Sequence, residues 1–394
     1  MPRHLIIGNG TAGFSAIQAI LEYDSDGEIT VISLEHHLPY SRVLLTHYIG
    51  GHVSKDNLYM TGESFFKQKK VNLLLGAAAV NIDPGQKRVE LDNGRVLSYE
   101  KLLVATGGKP VIPQHLQKES PDVMGLRTIE DASYIRQKSL SGAKIVIVGG
   151  GSLGVELACA LREGGNFPEM VVSSSHVLSR VADDEAAAVI QEQIQSYGIK
   201  IWTGEDVTEV VHTSKGVEGV VLSGGQEISC QVVVICKGVR PNREFLDRVL
   251  PTIRGIKVDS NMRTDIPDVY AAGDVVEAYE LSRQEFCVSA IWPHAIAQGR
   301  VAGMNMTGQD VIYEGSLSRN ALEIFGLPVI SMGITRVPAK KDWDLDVNQD
   351  KSSYCKLVYR DAKLVGAVLV GKVEKAGKLQ AAIRKAAGIE TALS

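Results

Sequence analysis

The run His4-Leu5-Ile6-Ile7-Gly8-Asn9-Gly10-Thr11-Ala12-Gly13 decides how the chain is read. An apolar strand enters a G-x-G-x-x-G turn, and a helix-forming stretch to about residue 21 leaves it. Each glycine has its own task in that setting. Gly8 permits the tight turn, Gly10 lets backbone approach a pyrophosphate, and Gly13 lets helix pack on strand, so the helix N-terminus faces the phosphates. A second apolar strand, residues 29–32, leads to Glu35, where a carboxylate accepts both ribose hydroxyls of a dinucleotide.

The same plan occurs again. Lys144-Ile145-Val146-Ile147-Val148 enters Gly149-Gly150-Gly151-Ser152-Leu153-Gly154, followed by a helical stretch and the strand Met170-Val171-Val172. One such loop is a weak signal. Two of them a domain apart indicate two bound dinucleotides, which is an arrangement for exchanging electrons.

The bulk properties narrow the rest. At 394 residues the chain exceeds one ordinary core, so two or three domains are expected. Apolar residues at 44% and charged residues at 22% suit a globular protein. A net charge of −4 argues against nucleic acid as a partner. No apolar run approaches the roughly 20 residues that span a bilayer, so no membrane insertion is expected. Met1-Pro2-Arg3 leads straight into a strand with no room for a signal peptide, which gives a cytoplasmic expectation. The cysteines, at 159, 230, 236, 287 and 355, have no C-x-x-C or zinc spacing. They read as reduced thiols, with no metal site.

Further along, a hairpin-like stretch is expected at 71–97, with Asn93-Gly94 as its turn. A strand at 101–105 runs into Thr106-Gly107-Gly108, and 109–121 reads as a connector. A helix at 183–197 precedes short strands that end in Val232-Val233-Val234-Ile235 and Lys237-Gly238-Val239-Arg240-Pro241-Asn242. A third glycine motif, Tyr270-Ala271-Ala272-Gly273-Asp274, is followed by a helix opened by Trp292-Pro293-His294 and running to about residue 305. Gly273-Asp274 at a strand end brings N–H groups and a carboxylate onto a polar ligand, or simply caps a turn. After 314 the pattern changes to a hairpin around Arg360-Asp361-Ala362-Lys363 and a closing helix at 374–387, an α+β unit.

These motifs, together with Pro39-Tyr40-Ser41-Arg42 and Ala105-Thr106-Gly107, stand in the order of the two-dinucleotide flavoprotein disulfide reductase superfamily. The chain resembles its rubredoxin/ferredoxin reductase and nitrite-reductase flavin-domain branch. The resemblance implies an α/β fold of two Rossmann-like domains plus a C-terminal α+β domain. It divides the chain into an FAD-binding domain at 1–111 and 243–313, an NAD(P)-binding domain at 112–242 and an interface domain at 314–394. FAD then lies against Gly8, Gly10, Thr11, Ala12, Gly13, Glu35, Arg42, Ala105, Thr106, Gly107, Gly273 and Asp274, with backbone near Val80 flanking the adenine. Asp274 holds the ribityl and phosphate part, and Arg42 stands near flavin and pyrophosphate. The positive end of the Trp292 helix points at the flavin, unless Trp292 is only a core aromatic. A nicotinamide nucleotide, NADH or NADPH, lies on Gly149, Gly151, Ser152, Leu153, Gly154, Ser173 and Gly238. Glu156 stands near the nicotinamide in relatives, or is an ordinary first-turn acid. His47 takes the place of the relatives' flavin-side lysine, as its replacement or as a solvated loop residue.

Two departures from the family pattern sharpen the expectation. By alignment Val43 stands where disulfide-reducing relatives place a redox cysteine, so electrons pass directly from flavin to a small iron–sulfur or rubredoxin-type carrier. Oxygen as acceptor, or a flavin-bearing structural or signalling subunit with little turnover, are the alternatives. In place of the acid of an NAD-reading loop there is Ser173-Ser174-Ser175-His176, with Arg180 beyond. That leaves NADPH, relaxed donor use or weakened nicotinamide binding open, while the family branch inclines to NADH. The basic clusters Lys67-Gln68-Lys69-Lys70 and Arg336/Lys340/Lys341 beside Trp343 are solvated faces or docking points for an acidic carrier. A homodimer through the C-terminal domain is left open.

Overall fold

Two five-stranded parallel sheets are built on the two glycine loops. The computed structural model describes residues 3–117, 120–214, 216–246, 249–250, 254–337, 343–350 and 352–386. In the first sheet the strands stand in the order Val269–Ala271, Lys101–Val104, His4–Ile7, Ile29–Ser33, Asn72–Leu75. In the second the order is Lys200–Thr203, Glu169–Val172, Ile145–Val148, Val232–Ile235, Val123–Gly125. Apart from the buried His4, the central strands are unbroken runs of Leu, Ile and Val, buried along their whole length, as strands covered on both faces must be. His4–Ile7 pairs with Ile29–Ser33 on one side and Lys101–Val104 on the other, so the chain reverses its winding at this strand and opens a crevice beyond its carboxyl end.

Each sheet also carries a three-stranded antiparallel meander, inserted between the third and fourth strands in sequence of the first sheet and between the fourth and fifth of the second. These are Ala79–Asp83, Arg88–Leu91, Val96–Ser98 and Val207–Thr213, Gly216–Leu222, Glu227–Ser229. The expected hairpin at 71–97 is therefore two things. Asn72–Leu75 joins the parallel sheet, because its apolar run does not alternate, and the Asn93-Gly94 turn closes the meander's last two strands, with Gly94 at φ +77°. The second strand ends at Ser33, so Glu35 lies just beyond it. Part of the expected connector at 109–121 is ordered as the strand Gly108–Pro110, antiparallel to Val239–Pro241.

The helix Trp292–Met306 closes the first unit by crossing the first glycine-loop helix, Thr11–Tyr23. Side-chain-free glycines make the contact: a Cβ on Gly299 would lie 2.2 Å from the Ala12 carbonyl oxygen, and one on Gly303 2.5 Å from that of Ala16.

The C-terminal unit is an antiparallel sheet in the order Arg319–Ile324, Leu327–Gly333, Lys363–Val370, Tyr354–Arg360, Asp344–Gln349, with the helix Ala376–Ala386 packed on it. The hairpin at 360–363 forms as expected. This sheet is fastened to the second glycine-loop unit. Asp183, the N-cap of the helix Asp184–Ser196, accepts from Tyr354 Oη at 2.7 Å and from the buried Lys356 Nζ at 2.6 Å. Tyr197 stacks on Phe325 at 3.9 Å between ring centroids. Lys340, Lys341 and the last residue of the expected closing helix, 387, lie outside the described residues. Among the described residues no helix is long and apolar enough to cross a membrane.

Candidate functional site

The six glycines at the G-x-G-x-x-G positions divide by what a side chain would meet. On Gly8, at φ +113°, a Cβ would lie 2.1 Å from the Ala105 carbonyl oxygen; on Gly149, at φ +123°, it would lie 2.4 Å from that of Cys236. On Gly13 it would lie 2.0 Å from the Gly8 oxygen, and on Gly154 2.1 Å from the Gly149 oxygen. On Gly10 and on Gly151 it would meet nothing within 4 Å. The first and third glycines are thus required by packing, while the second faces space that a ligand can fill. Gly10 and Gly151 are also the N-caps of Thr11–Tyr23 and Ser152–Glu163, with no side-chain cap, so first-turn N–H groups remain free for phosphate oxygens.

A cleft of about 800 Å³ runs over the carboxyl ends of the first sheet. It brings together Gly8, Gly10, Thr11, Ala12, Glu35, Arg42, Ala105, Thr106, Gly107, Gly273, Asp274 and Trp292. Gly13 sits beneath the loop and supports it from behind. Val80 is not brought to the cleft: residues 77–79 form that part of the wall, and Val80 is 45% exposed.

Charge in the cleft is paired. The Glu35 carboxylate accepts from Tyr40 Oη and Arg42 Nη2. Arg42 Nη1 donates to Tyr40 Oη at 2.7 Å and to the Arg127 carbonyl at 2.6 Å. Arg127 Nη2 holds Asp274 Oδ2 at 2.8 Å. Burial opposes the charge on Arg42, but Tyr40, Glu35 and Asp274 together raise its pKa. The Gly273 amide donates to the buried Gln298 Oε1 at 2.9 Å, and Trp292 Nε1 donates to Thr11 Oγ1 at 2.7 Å across the cleft mouth. The buried Asn9 Oδ1 and Ser41 Oγ have no hydrogen-bond partner among the described residues. Asn9 lines the cleft, and a buried polar atom without a partner is costly. That orphaned acceptor, the open face of Gly10 and the Asp274–Arg127–Arg42 row suit a flavin dinucleotide.

Sequence reading missed Arg127, Gln298 and Asn9. Arg127 had a usable signal, because Thr128-x-x-Asp131 is a capping box: Asp131 N donates to Thr128 Oγ1 at 3.1 Å, and Thr128 N to Asp131 Oδ2 at 2.8 Å. The box fixes the helix start and so aims Arg127, the residue before it, at Asp274.

At the second loop, Ser152 and Leu153 open the helix Ser152–Glu163, and Ser173 is exposed just past the strand Glu169–Val172. Gly238, exposed and at φ +99°, stands at the exit of the second sheet and outside the 800 Å³ cleft.

Glu156 and His47 share a different cavity, of about 420 Å³, between the helix Ser152–Glu163 and the C-terminal sheet. His47 is exposed, and its ring lies 6.1 Å edge-on from His52, which pairs with Glu163 at 2.8 Å. Glu156 has no hydrogen bond or ion pair among the described residues, so the two are neighbours in one cavity without a bond between them. Burial pushes the Glu156 carboxyl up to about 7. A carboxyl raised in the folded state favours folding most below its ordinary pKa near 4.5, and that contribution is lost as pH rises through about 7. We therefore expect Glu156→Gln to exceed the parent in unfolding free energy by about 1–2 kcal/mol at pH 8 and to match it near pH 4. Urea melts at the two pH values check this; equal differences at both would refute it.

The profile of the pyridine nucleotide-disulphide oxidoreductase family matches residues 2–299. The chain belongs to that family. A second profile, the rubredoxin NAD+ reductase C-terminal domain, matches residues 319–387. The NADH-rubredoxin oxidoreductase of Clostridium acetobutylicum is 30% identical over 383 residues, 96% of this chain and 93% of that protein. An NADH oxidase of Methanocaldococcus jannaschii is 30% identical over 86% of this chain and 77% of its own length. A ferredoxin reductase from Rhodopseudomonas palustris superposes with a TM-score of 0.87 at 27% identity, over 96% of this chain and 93% of that one. The chain is an oxidoreductase, with FAD and a nicotinamide nucleotide as its cofactors.

Proposed function

We propose that this family member passes electrons from a nicotinamide nucleotide through FAD to a small iron–sulfur or rubredoxin-type protein, with no thiol relay. One observation carries the reading: no cysteine lines the cleft, and Val43, where the family resemblance leads one to expect the relay cysteine of disulfide-reducing relatives, forms part of its wall. The thiol of Cys159, in the neighbouring cavity, is pushed up to about 12 by burial and stays protonated. The similarity to a rubredoxin reductase supports the same acceptor class.

FAD supplies the conversion of a two-electron donor into a one-electron source. The protein supplies position and field. Free amides at Gly10 and the first turn of Thr11–Tyr23 hold phosphate oxygens, while Gly8 and Gly13 fix that turn. Arg127 and Arg42 present two adjacent cations along the cleft, with Asp274 at one end of the row and Glu35 at the other. The positive end of the helix Trp292–Met306 favours negative charge developing in the cleft, and the Trp292–Thr11 hydrogen bond pins that end in place.

Anaerobic mixing with NADH or NADPH, followed at the flavin absorbance band, tests the donor half. Bleaching is expected, and its absence with both nucleotides removes the reductase reading. Added rubredoxin or ferredoxin should then restore colour far faster than air does. Rapid aerobic turnover with no carrier would instead favour an oxidase, as the similarity to the Methanocaldococcus protein suggests.

A further inference from the structure

We propose that the loop at 173–180, together with Arg336 of the C-terminal unit, reads a 2′-phosphate, so that NADPH binds in preference to NADH. The inference rests on the reductase reading above and departs from the donor that the family branch implies.

The loop is folded onto the second phosphate loop. Leu178 N donates to the Gly150 carbonyl at 2.7 Å, and Gly149 N donates to that of Val171 at 2.8 Å. Ser174 Oγ donates to the His176 carbonyl at 2.8 Å and fixes the turn from inside. That leaves Ser173 and Ser175 exposed, at the end of the strand whose carboxyl edge meets an adenine ribose.

Two guanidinium groups stand at the far end of the same loop. Arg180 is exposed and forms no hydrogen bond or ion pair among the described residues. Arg336, exposed on the C-terminal unit, donates from Nη1 to the Ser179 carbonyl at 2.5 Å, and no carboxylate pairs with it among the described residues. Arginine donates in a fork that matches phosphate oxygens, and it is always charged.

Three of the acids nearby have partners, while Glu185, exposed in the first turn of Asp184–Ser196, has no hydrogen bond or ion pair among the described residues. Asp183 accepts from Ala186 N, Tyr354 and Lys356. Asp184 faces His176 at 3.2 Å. Glu205 lies beside the loop, since Gly204 N donates to the Ser174 carbonyl at 2.9 Å. Its carboxylate, however, is turned to Ser223 Oγ and Gly224 N, and those bonds hold its pKa below the usual range. The loop therefore presents hydroxyl donors and cations, where a diol-reading site presents a carboxylate that would repel a phosphate. Arg336 also makes donor choice depend on a residue outside both glycine-loop units.

Calorimetric titration of the flavin-loaded protein with 2′,5′-ADP and with ADP tests this without turnover. The 2′-phosphate should tighten binding about tenfold or more, as charged hydrogen bonds do. Arg180→Gln and Arg336→Gln should each weaken 2′,5′-ADP about fivefold while leaving ADP within about twofold, and Arg336→Lys should recover part of the loss. Ser173→Glu should reverse the preference. Equal affinity for the two ligands in the parent protein, with NADH still bleaching the flavin, overturns this inference and leaves the reductase reading standing. An unchanged ratio in Arg336→Gln, checked as folded by circular dichroism, removes the C-terminal arginine from the site.

Discussion

Gly10→Asp is expected to yield a folded, colourless protein, and Gly13→Val a destabilised one. The two positions are three residues apart in one motif but face different things. A Cβ on Gly10 meets open cleft, and its backbone, at φ −82° and ψ −169°, suits any residue. Aspartate there even caps the helix, while placing a negative charge where pyrophosphate lies. At about 4 Å in a partly shielded site that repulsion reaches a few kcal/mol, enough for at least about a hundredfold loss of FAD affinity. A side chain on Gly13 collides with the Gly8 carbonyl at 2.0 Å and levers the helix off the strand. Overpacking of that kind costs about 3 kcal/mol or more. The flavin-to-protein absorbance ratio and a thermal melt separate the outcomes. Stoichiometric yellow colour in Gly10→Asp would sink the assignment of that glycine to a cofactor.

Asp183→Ala should lower unfolding free energy by about 3–5 kcal/mol, because it strands the Lys356 ammonium, whose side chain is only 7% exposed. The same change removes a helix N-cap and the acceptor of Tyr354. Burial works against the Asp183 carboxylate, yet Lys356 and Tyr354 hold its pKa below the ordinary 3.8. The stabilisation is therefore present above about pH 4 and is lost only as acid titrates the folded group. The double variant Asp183→Ala/Lys356→Met should recover much of the loss, since no buried charge remains. Urea melts at pH 7 decide the matter: a single-variant loss under about 1 kcal/mol would show that the latch contributes little.

Much of the fold was legible because glycine loops are set by local sterics. Residues 8–13 and 149–154 carry their strand, turn and helix within themselves, and Asp361-Ala362 likewise closes its own hairpin. Strand partners are not local, so the unalternating apolar run at 72–75 marks a sheet strand without naming Ile29–Ser33 as its neighbour. The cleft followed the same division. Glu35 and Arg42 lie on one short loop, whereas Arg127 meets Asp274 from 147 residues away and Gln298 meets Gly273 from 25. Glu156 was found by its place in the helix, but the raised affinity for a proton comes from the walls of its cavity.

The first sheet takes its edge strand from Val269–Ala271 and its covering helix from Trp292–Met306, while every strand of the second lies within 123–235. On the ribosome the second sheet can therefore be completed while the first still waits for its last strand and for the glycine-faced helix that seals it. Closure of the first unit is thus a late step of synthesis, and until it occurs the buried faces of residues 4–104 stand open to whatever the cell offers them.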